Sequence, residues 1–210
     1  MQIKSFCFNF IQENTYIVTD ETKQCAIIDP GCVYKSEESQ LANYIDENGL
    51  KPVLLLNTHL HFDHILGNAF VAQEYGLTAK AHVDDKIFLD NSGFLSPDFP
   101  KIPVNYDFPM EWINEGDRLA FGNSTIQVLH TPGHSPGSLS FYCPEANAVF
   151  SGDTLFLNSV GRTDFVGGDS ERLADSIYTK LFPLPDNTEI YPGHGPKSSV
   201  IEEKTHNPYV

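Results

Sequence analysis

Short apolar blocks separated by polar turns run along the whole chain. Ile3 to Phe10, Asn14 to Thr19 and Cys25-Ala26-Ile27-Ile28-Asp29 read as three strands, the last ending at the turn signal Asp29-Pro30-Gly31. Between Ser36 and Asn48 the period changes. Leu41, Tyr44 and Ile45 recur at three and four residues, which predicts a helix stopped at Gly49. Val53-Leu54-Leu55-Leu56 is a short apolar block of the kind that forms a buried strand. A helix from Ile65 to about Tyr75, with Gly76 as its stop, and a strand near Ala79-Lys80-Ala81-His82 follow. Arg118 to Phe121 and Thr125 to Leu129 flank Gly122-Asn123, a hairpin signal. Ser138 to Cys143 and Ala148 to Ser151 predict strands, Ser170 to Leu181 a helix, and Glu189 to Tyr191 a last strand. Strands then helix, twice over, predict an α+β fold of two mixed β-sheets packed face to face with helices outside.

One polar stretch breaks this pattern. Thr58-His59-Leu60-His61-Phe62-Asp63-His64 follows the buried Val53–Leu56 run and holds three of the chain's eight histidines and a carboxylate. Without a cation, such a cluster at a buried strand end would leave polar groups desolvated, at a cost of several kcal/mol or a shift in their pKa values. Three more metal-type residues sit beside Gly or Pro near strand ends: His134 in Thr131-Pro132-Gly133-His134, Asp153 in Ser151-Gly152-Asp153, and His194 in Pro192-Gly193-His194-Gly195. His82 reads as a lone histidine at a strand end, His130 as a structural residue, and His206 as inert.

Composition narrows the classes. The 210 residues suit one domain, with 40% hydrophobic and 20% charged content, ordinary for a soluble globular chain. No apolar run approaches a membrane span and no signal core opens the chain, so a cytoplasmic protein without a membrane partner is expected. The net charge of -15 argues against a nucleic-acid backbone as partner. Cys7, Cys25, Cys32 and Cys143 lack the spacing of a structural zinc site and read as buried thiols. The proline- and aromatic-rich stretch 91–111 reads as a lid or as a packed connector.

The His-x-His-x-Asp-His pattern of His59 to His64 resembles the signature of the metallo-β-lactamase fold superfamily. That resemblance implies a four-layer αββα sandwich and assigns the ligands. His59, His61 and His134 would hold one divalent ion; Asp63, His64 and His194 the second; Asp153 would bridge them. The donors suit zinc, with iron or manganese also possible. Asp29 would support the metal loop from beneath. The resemblance further implies hydrolysis by a hydroxide shared between the two ions, with Asp63 orienting it.

Ser151-Gly152-Asp153-Thr154-Leu155-Phe156, Gly161-Arg162-Thr163-Asp164-Phe165, Tyr191-Pro192-Gly193-His194-Gly195-Pro196 and the ending Asn207-Pro208-Tyr209 resemble the glyoxalase II-like hydrolases. Their substrates are hydroxyacylglutathione thioesters, which makes a small-molecule thioester the expected partner and places Arg162 near its carrier arm. The chain stops at Val210, so the short single-domain type is expected, without the helical glutathione-binding domain. A persulfide dioxygenase of the same fold, with one iron, is the alternative, as is a hydrolase of another ester or lactone. Gly133-His134-Ser135-Pro136-Gly137 also matches G-x-S-x-G. A nucleophile elbow needs a helix after its serine, and Leu139-Ser140-Phe141-Tyr142 reads as strand.

Overall fold

The computed structural model describes residues 1–90 and 104–210. Two six-stranded sheets form its centre. The first contains β1 (Gln2–Phe8), β2 (Glu13–Thr19), β3 (Gln24–Ile28), β4 (Lys51–Leu56), β5 (Ala79–Ala81) and β6 (Met110–Trp112), in that order. β1, β2 and β3 pair antiparallel, whereas β3 to β6 run parallel. The second sheet contains β7 (Arg118–Phe121), β8 (Ser124–His130), β9 (Leu139–Cys143), β10 (Ala148–Gly152), β13 (Glu189–Pro192) and β14 (Ser198–Ser199), in the order β14-β13-β10-β9-β8-β7. Its β10–β13 pair is parallel and the rest antiparallel. A small ribbon, β11 (Leu155–Phe156) with β12 (Ser159–Val160), stands apart.

Strand alternation builds the layers. Tyr16, Val18, Ala26, Ile28 and Leu56 of the first sheet meet Ile126, Val128, Phe141 and Phe150 of the second in one buried core. Their neighbours Ile17, Cys25, Ile27 and Leu55 face the other way, onto α1 (Lys35–Glu47) and α2 (Asn68–Tyr75) through Leu41, Ile45 and Val71. Val149 and Ile190 of the second sheet pack against α4 (Ser170–Ser176), its π-turn Ile177–Leu181, and α5 (Val200–His206). A short α3 (Lys86–Asp90) lies between β5 and β6. The result is the helix–sheet–sheet–helix sandwich that the apolar pattern predicts.

The expected helix from Ile65 begins later. A 3₁₀ turn, Phe62–His64, takes the ligand-rich stretch, and α2 starts only at Asn68. Gly76 closes α2 in the left-handed region, at φ 66°. The expectation of a lid or connector at 91–111 falls mostly outside the described residues. Within them, Val104, Tyr106 and Phe108 pack onto Leu60, Ile65 and Phe88, as a connector's side chains do.

Candidate metal centre

All seven candidate ligands lie at one end of the sandwich. The segment after β4 carries His59, His61, Asp63 and His64. Loops after β8, β10 and β13 carry His134, Asp153 and His194. Hydrogen bonds stitch the two sheets together at this end: Leu139 N–H to Thr58 O at 2.7 Å, Asn14 N–H to Gly193 O at 2.7 Å, and Tyr16 O–H to Pro192 O at 2.6 Å.

The structure brings the seven side chains into two triads. Ligand atoms of His59, His61 and His134 lie within 4.8 Å of one another, and so do those of Asp63, His64 and His194. Asp153 lies between them. Its Oδ2 is 3.6 Å from His134 Nε2 and 3.7 Å from His194 Nε2, and its Oδ1 is 3.5 Å from His64 Nε2. Two glycines permit the approach. A Cβ on Gly193 would fall 2.2 Å from Asp153 Oδ1, and one on Gly152, at φ 51°, 2.4 Å from Thr58 Oγ1.

Whether a cation fits is decided by the ring tautomers. Thr58 Oγ1 donates to Asp29 at 2.6 Å, so its oxygen accepts from His59 Nδ1 at 3.1 Å. His64 Nδ1 donates to Asp29 at 3.0 Å, and His134 Nδ1 donates to the Arg162 carbonyl at 2.7 Å. Each ring's Nε2 is thereby left to face the site. His59 Nε2, His64 Nε2 and Asp153 Oδ1 are buried without any hydrogen-bond partner. His134 Nε2 and His61 Nδ1 stand 2.9 Å apart, ring nitrogen against ring nitrogen. Orphaned acceptors converging in a buried space fit divalent cations, and the nitrogen–carboxylate set suits zinc, iron or manganese.

At the first triad the electrostatics agree with that fit. Burial, reinforced by the neighbouring histidines, keeps His59 neutral and pushes His61 down to about 3. Neutral imidazole is the form that binds metal. At the second triad the metal-free chain differs: around His64, burial is outweighed by Asp63, Asp153 and Asp29, which favour the protonated ring, and a cation would bind there in place of that proton. Burial would raise Asp63, but His64 and His194 outweigh it and hold the carboxyl below the usual carboxylate range.

The other candidates divide. Asp29 accepts from Thr58 N–H at 2.7 Å as well as from the Thr58 hydroxyl and His64, so its oxygens orient the loop from beneath. Arg162 is exposed, closed on Asp164 by two hydrogen bonds of 2.8 and 2.7 Å, and stacked over Phe165 at 4.2 Å. Its carbonyl, which no motif exposes, is the part that touches His134. His82 is not a lone histidine: it lies outside both triads, but its ring stacks on His130 at 4.3 Å, the two form with Asp84 a separate group of ligand-type atoms within 4.8 Å, and His130 Nε2 bonds Pro136 O. His206 pairs with Glu202 on the surface. Ser135 is fully buried and bonded to Asp85 and Ser138, with strand rather than helix after it, so no nucleophile elbow forms. Cys25, Cys32 and Cys143 are buried as expected, whereas Cys7 is exposed. Sequence reasoning missed Asp85, a fully buried carboxylate between the two loops of the first triad. Nothing in its local sequence separates it from the neighbouring exposed Asp84.

Known proteins share this arrangement of sheets and loops. Residues 9–194 match the model of the metallo-beta-lactamase superfamily. The chain belongs to the metallo-β-lactamase superfamily. Within that superfamily it is 38% identical to the probable metallo-hydrolase YqgX of Bacillus subtilis (strain 168), over 95% of this chain and 93% of that one. It is 35% identical to the hydroxyacylglutathione hydrolase GloC of Haemophilus influenzae, over 100% and 98%. The structure of TTHA1623 in a di-iron-bound form superposes with a TM-score of 0.83 at 36% identity, covering 99% of this chain and 100% of that one. These relatives make the chain a member of a metal-dependent hydrolase superfamily. Among the described residues no helix is long and apolar enough to cross a membrane.

Proposed function

We propose that this protein is a binuclear metal-dependent hydrolase that cleaves a small-molecule thioester of the hydroxyacylglutathione type. The observation that carries this reading is the pair of triads sharing Asp153, with three buried ligand atoms left without partners. Full-length similarity to GloC supports the thioester class.

His59, His61 and His134 would hold one ion, Asp63, His64 and His194 the other, and Asp153 would touch both. Bound there, two divalent ions, with zinc as the first expectation, supply an acidified water as nucleophile and polarise the acyl carbonyl. The chain's own groups do the rest. Asp63, whose Oδ2 lies 3.2 Å from His194 Nε2, would orient the attacking water and take up its proton. Asp29, Thr58 and the Arg162 carbonyl hold the rings of His64, His59 and His134 in the ligating orientation. Phe165 edges against His61 at 5.3 Å and His134 at 6.0 Å, covering that side of the site. Above it, the exposed Arg162 guanidinium is paired with Asp164 and would have to leave that carboxylate to meet an anionic carrier arm of the substrate.

The test is a thioester panel, with and without a glutathione moiety, on metal-loaded protein, followed by thiol release. Fast turnover on hydroxyacyl thioesters that is lost in chelator supports the reading. Turnover confined to a lactone or another ester moves the substrate class. One iron per chain with oxygen uptake on a persulfide replaces the hydrolase with a dioxygenase.

A further inference from the structure

We propose that Asp85 is the positioning residue of the first metal triad: it clamps the His59–His61 loop to the His134 loop and so sets the affinity of that site alone. This deepens the two-ion reading above and rests on it.

Asp85 ends the 3₁₀ turn Val83–Asp85 that follows β5, and its side chain is wholly buried. Three donors converge on its two oxygens. Leu60 N–H, between His59 and His61, donates to Oδ2 at 3.0 Å. The Ser135 hydroxyl, next to His134, donates to the same oxygen at 2.8 Å. Gly137 N–H donates to Oδ1 at 2.6 Å, and a Cβ on Gly137 would come within 2.7 Å of that oxygen. The first donor belongs to a segment leaving the first sheet, the other two to a segment leaving the second. His59 and His61 stand on one side of this clamp and His134 on the other.

A carboxylate is the group this place requires. Two acceptor oxygens and no hydrogen match three converging donors, whereas an amide would turn its own N–H group against one of them. Burying the carboxylate is costly; what it secures is the alignment of two loops that carry complementary ligands. The second triad has its own buried aspartate, Asp29, bonded directly to His64. Asp29 also reaches His59 of the first triad through the Thr58 hydroxyl, so it serves both triads, whereas the bonds of Asp85 go to the two loops of the first. Asp85 touches no ligand ring, so it acts through the backbone of one loop and the side chain and backbone of the other.

The experiment is a competition titration of zinc into metal-free protein against a chromophoric chelator, read as affinity and stoichiometry rather than turnover. It uses the parent, Asp85→Asn, Ser135→Ala and His59→Ala. The parent should bind two ions. His59→Ala should lose one, which identifies the first-triad ion. Asp85→Asn should weaken that ion roughly 10- to 100-fold and leave the second ion unchanged. Adding Asp85→Asn to His59→Ala should not alter the ion that remains. Ser135→Ala removes one of the three bonds and should weaken the same ion less; should Asp85→Asn not fold, this variant decides. A merely structural role would lower the melting temperature of the metal-free variant and leave both affinities at parent values, which overturns the proposal. Equal weakening of both ions overturns it too. A parent that binds fewer than two ions overturns the underlying two-ion reading, and the proposal with it.

Discussion

At the scale of residues, the site is a set of side chains whose hydrogen-bond partners fix what is left over. Asp153 contributes both oxygens to the space between the triads, so Asp153→Ala should release both ions and cut turnover by roughly 10³-fold or more. His82→Ala, which alters a ring stacked outside both triads, should do little by the same assay and metal count. Equal losses from the two would contradict the assignment. Asp85 adds a pH signature. Burial pushes its carboxyl up to about 6, against an ordinary value of 3.8. The folded chain thus holds this proton more tightly than the unfolded one. The resulting stabilisation is present in full below about pH 4 and is lost as pH rises through about 6, by something on the order of 3 kcal/mol. Urea unfolding of the metal-free parent and of Asp85→Asn, at about pH 4 and about pH 7.5, should show the parent losing ground to the variant at the higher pH. A gap that does not change with pH would show that Asp85 does not titrate in this range. The seven ligand candidates stood out in the sequence as His and Asp beside Gly and Pro, and the family resemblance divided them between two ions. Asp85 and the Arg162 carbonyl did not, because their roles come from what the folded chain sets opposite them.

At the scale of elements, four strands, β4, β8, β10 and β13, end by delivering parts of the site, and a turn at one of those ends carries strain. Gly152 closes β10 at φ 51°, where a Cβ would fall 2.4 Å from Thr58 Oγ1. Gly152→Ala should destabilise the protein by about 1–3 kcal/mol. It should also weaken metal binding, because the turn that shifts carries Asp153. Thermal melting with and without added zinc checks both effects; an unchanged melting temperature in both conditions would refute the close approach. Strands β2 and β9 were readable as short apolar runs buried on both faces, and β8 by an alternation that its burial repeats. The short edge strands β6 and β14 were not, because three and two residues hold no period. α5 was missed for a similar reason. Its sequence VIEEKTH buries only Val200 and Glu203, and that buried glutamate accepts from Asn158 N–H and the Asn207 amide instead of presenting an apolar face. α2 began late because residues 65–67 form a turn in which Gly67 N–H donates to Pro30 O at 2.7 Å, holding the segment against the Asp29–Gly31 turn.

At the scale of the whole molecule, two sheets are joined at one end by loops that the ions would hold together. Ligands come from both sheets, so metal binding is also inter-sheet bonding. Ions that bind the native state at a thousand times their dissociation constant stabilise it by about 4 kcal/mol each. Stripping them should therefore lower the melting temperature of a chain this size by about 10 °C or more, reversibly on readdition. A melting temperature indifferent to chelator would mean the sheets hold without them. The sandwich itself was readable from the succession of strands and helices, whereas the pairing order within each sheet was not, since β10 beside β13 and β3 beside β4 are joined across helices. The most direct test of the two-ion centre is anomalous diffraction from crystals of the zinc-loaded protein. The account predicts two peaks, one among His59, His61 and His134, one among Asp63, His64 and His194, with Asp153 touching both. A single peak, or peaks only away from these side chains, would contradict it.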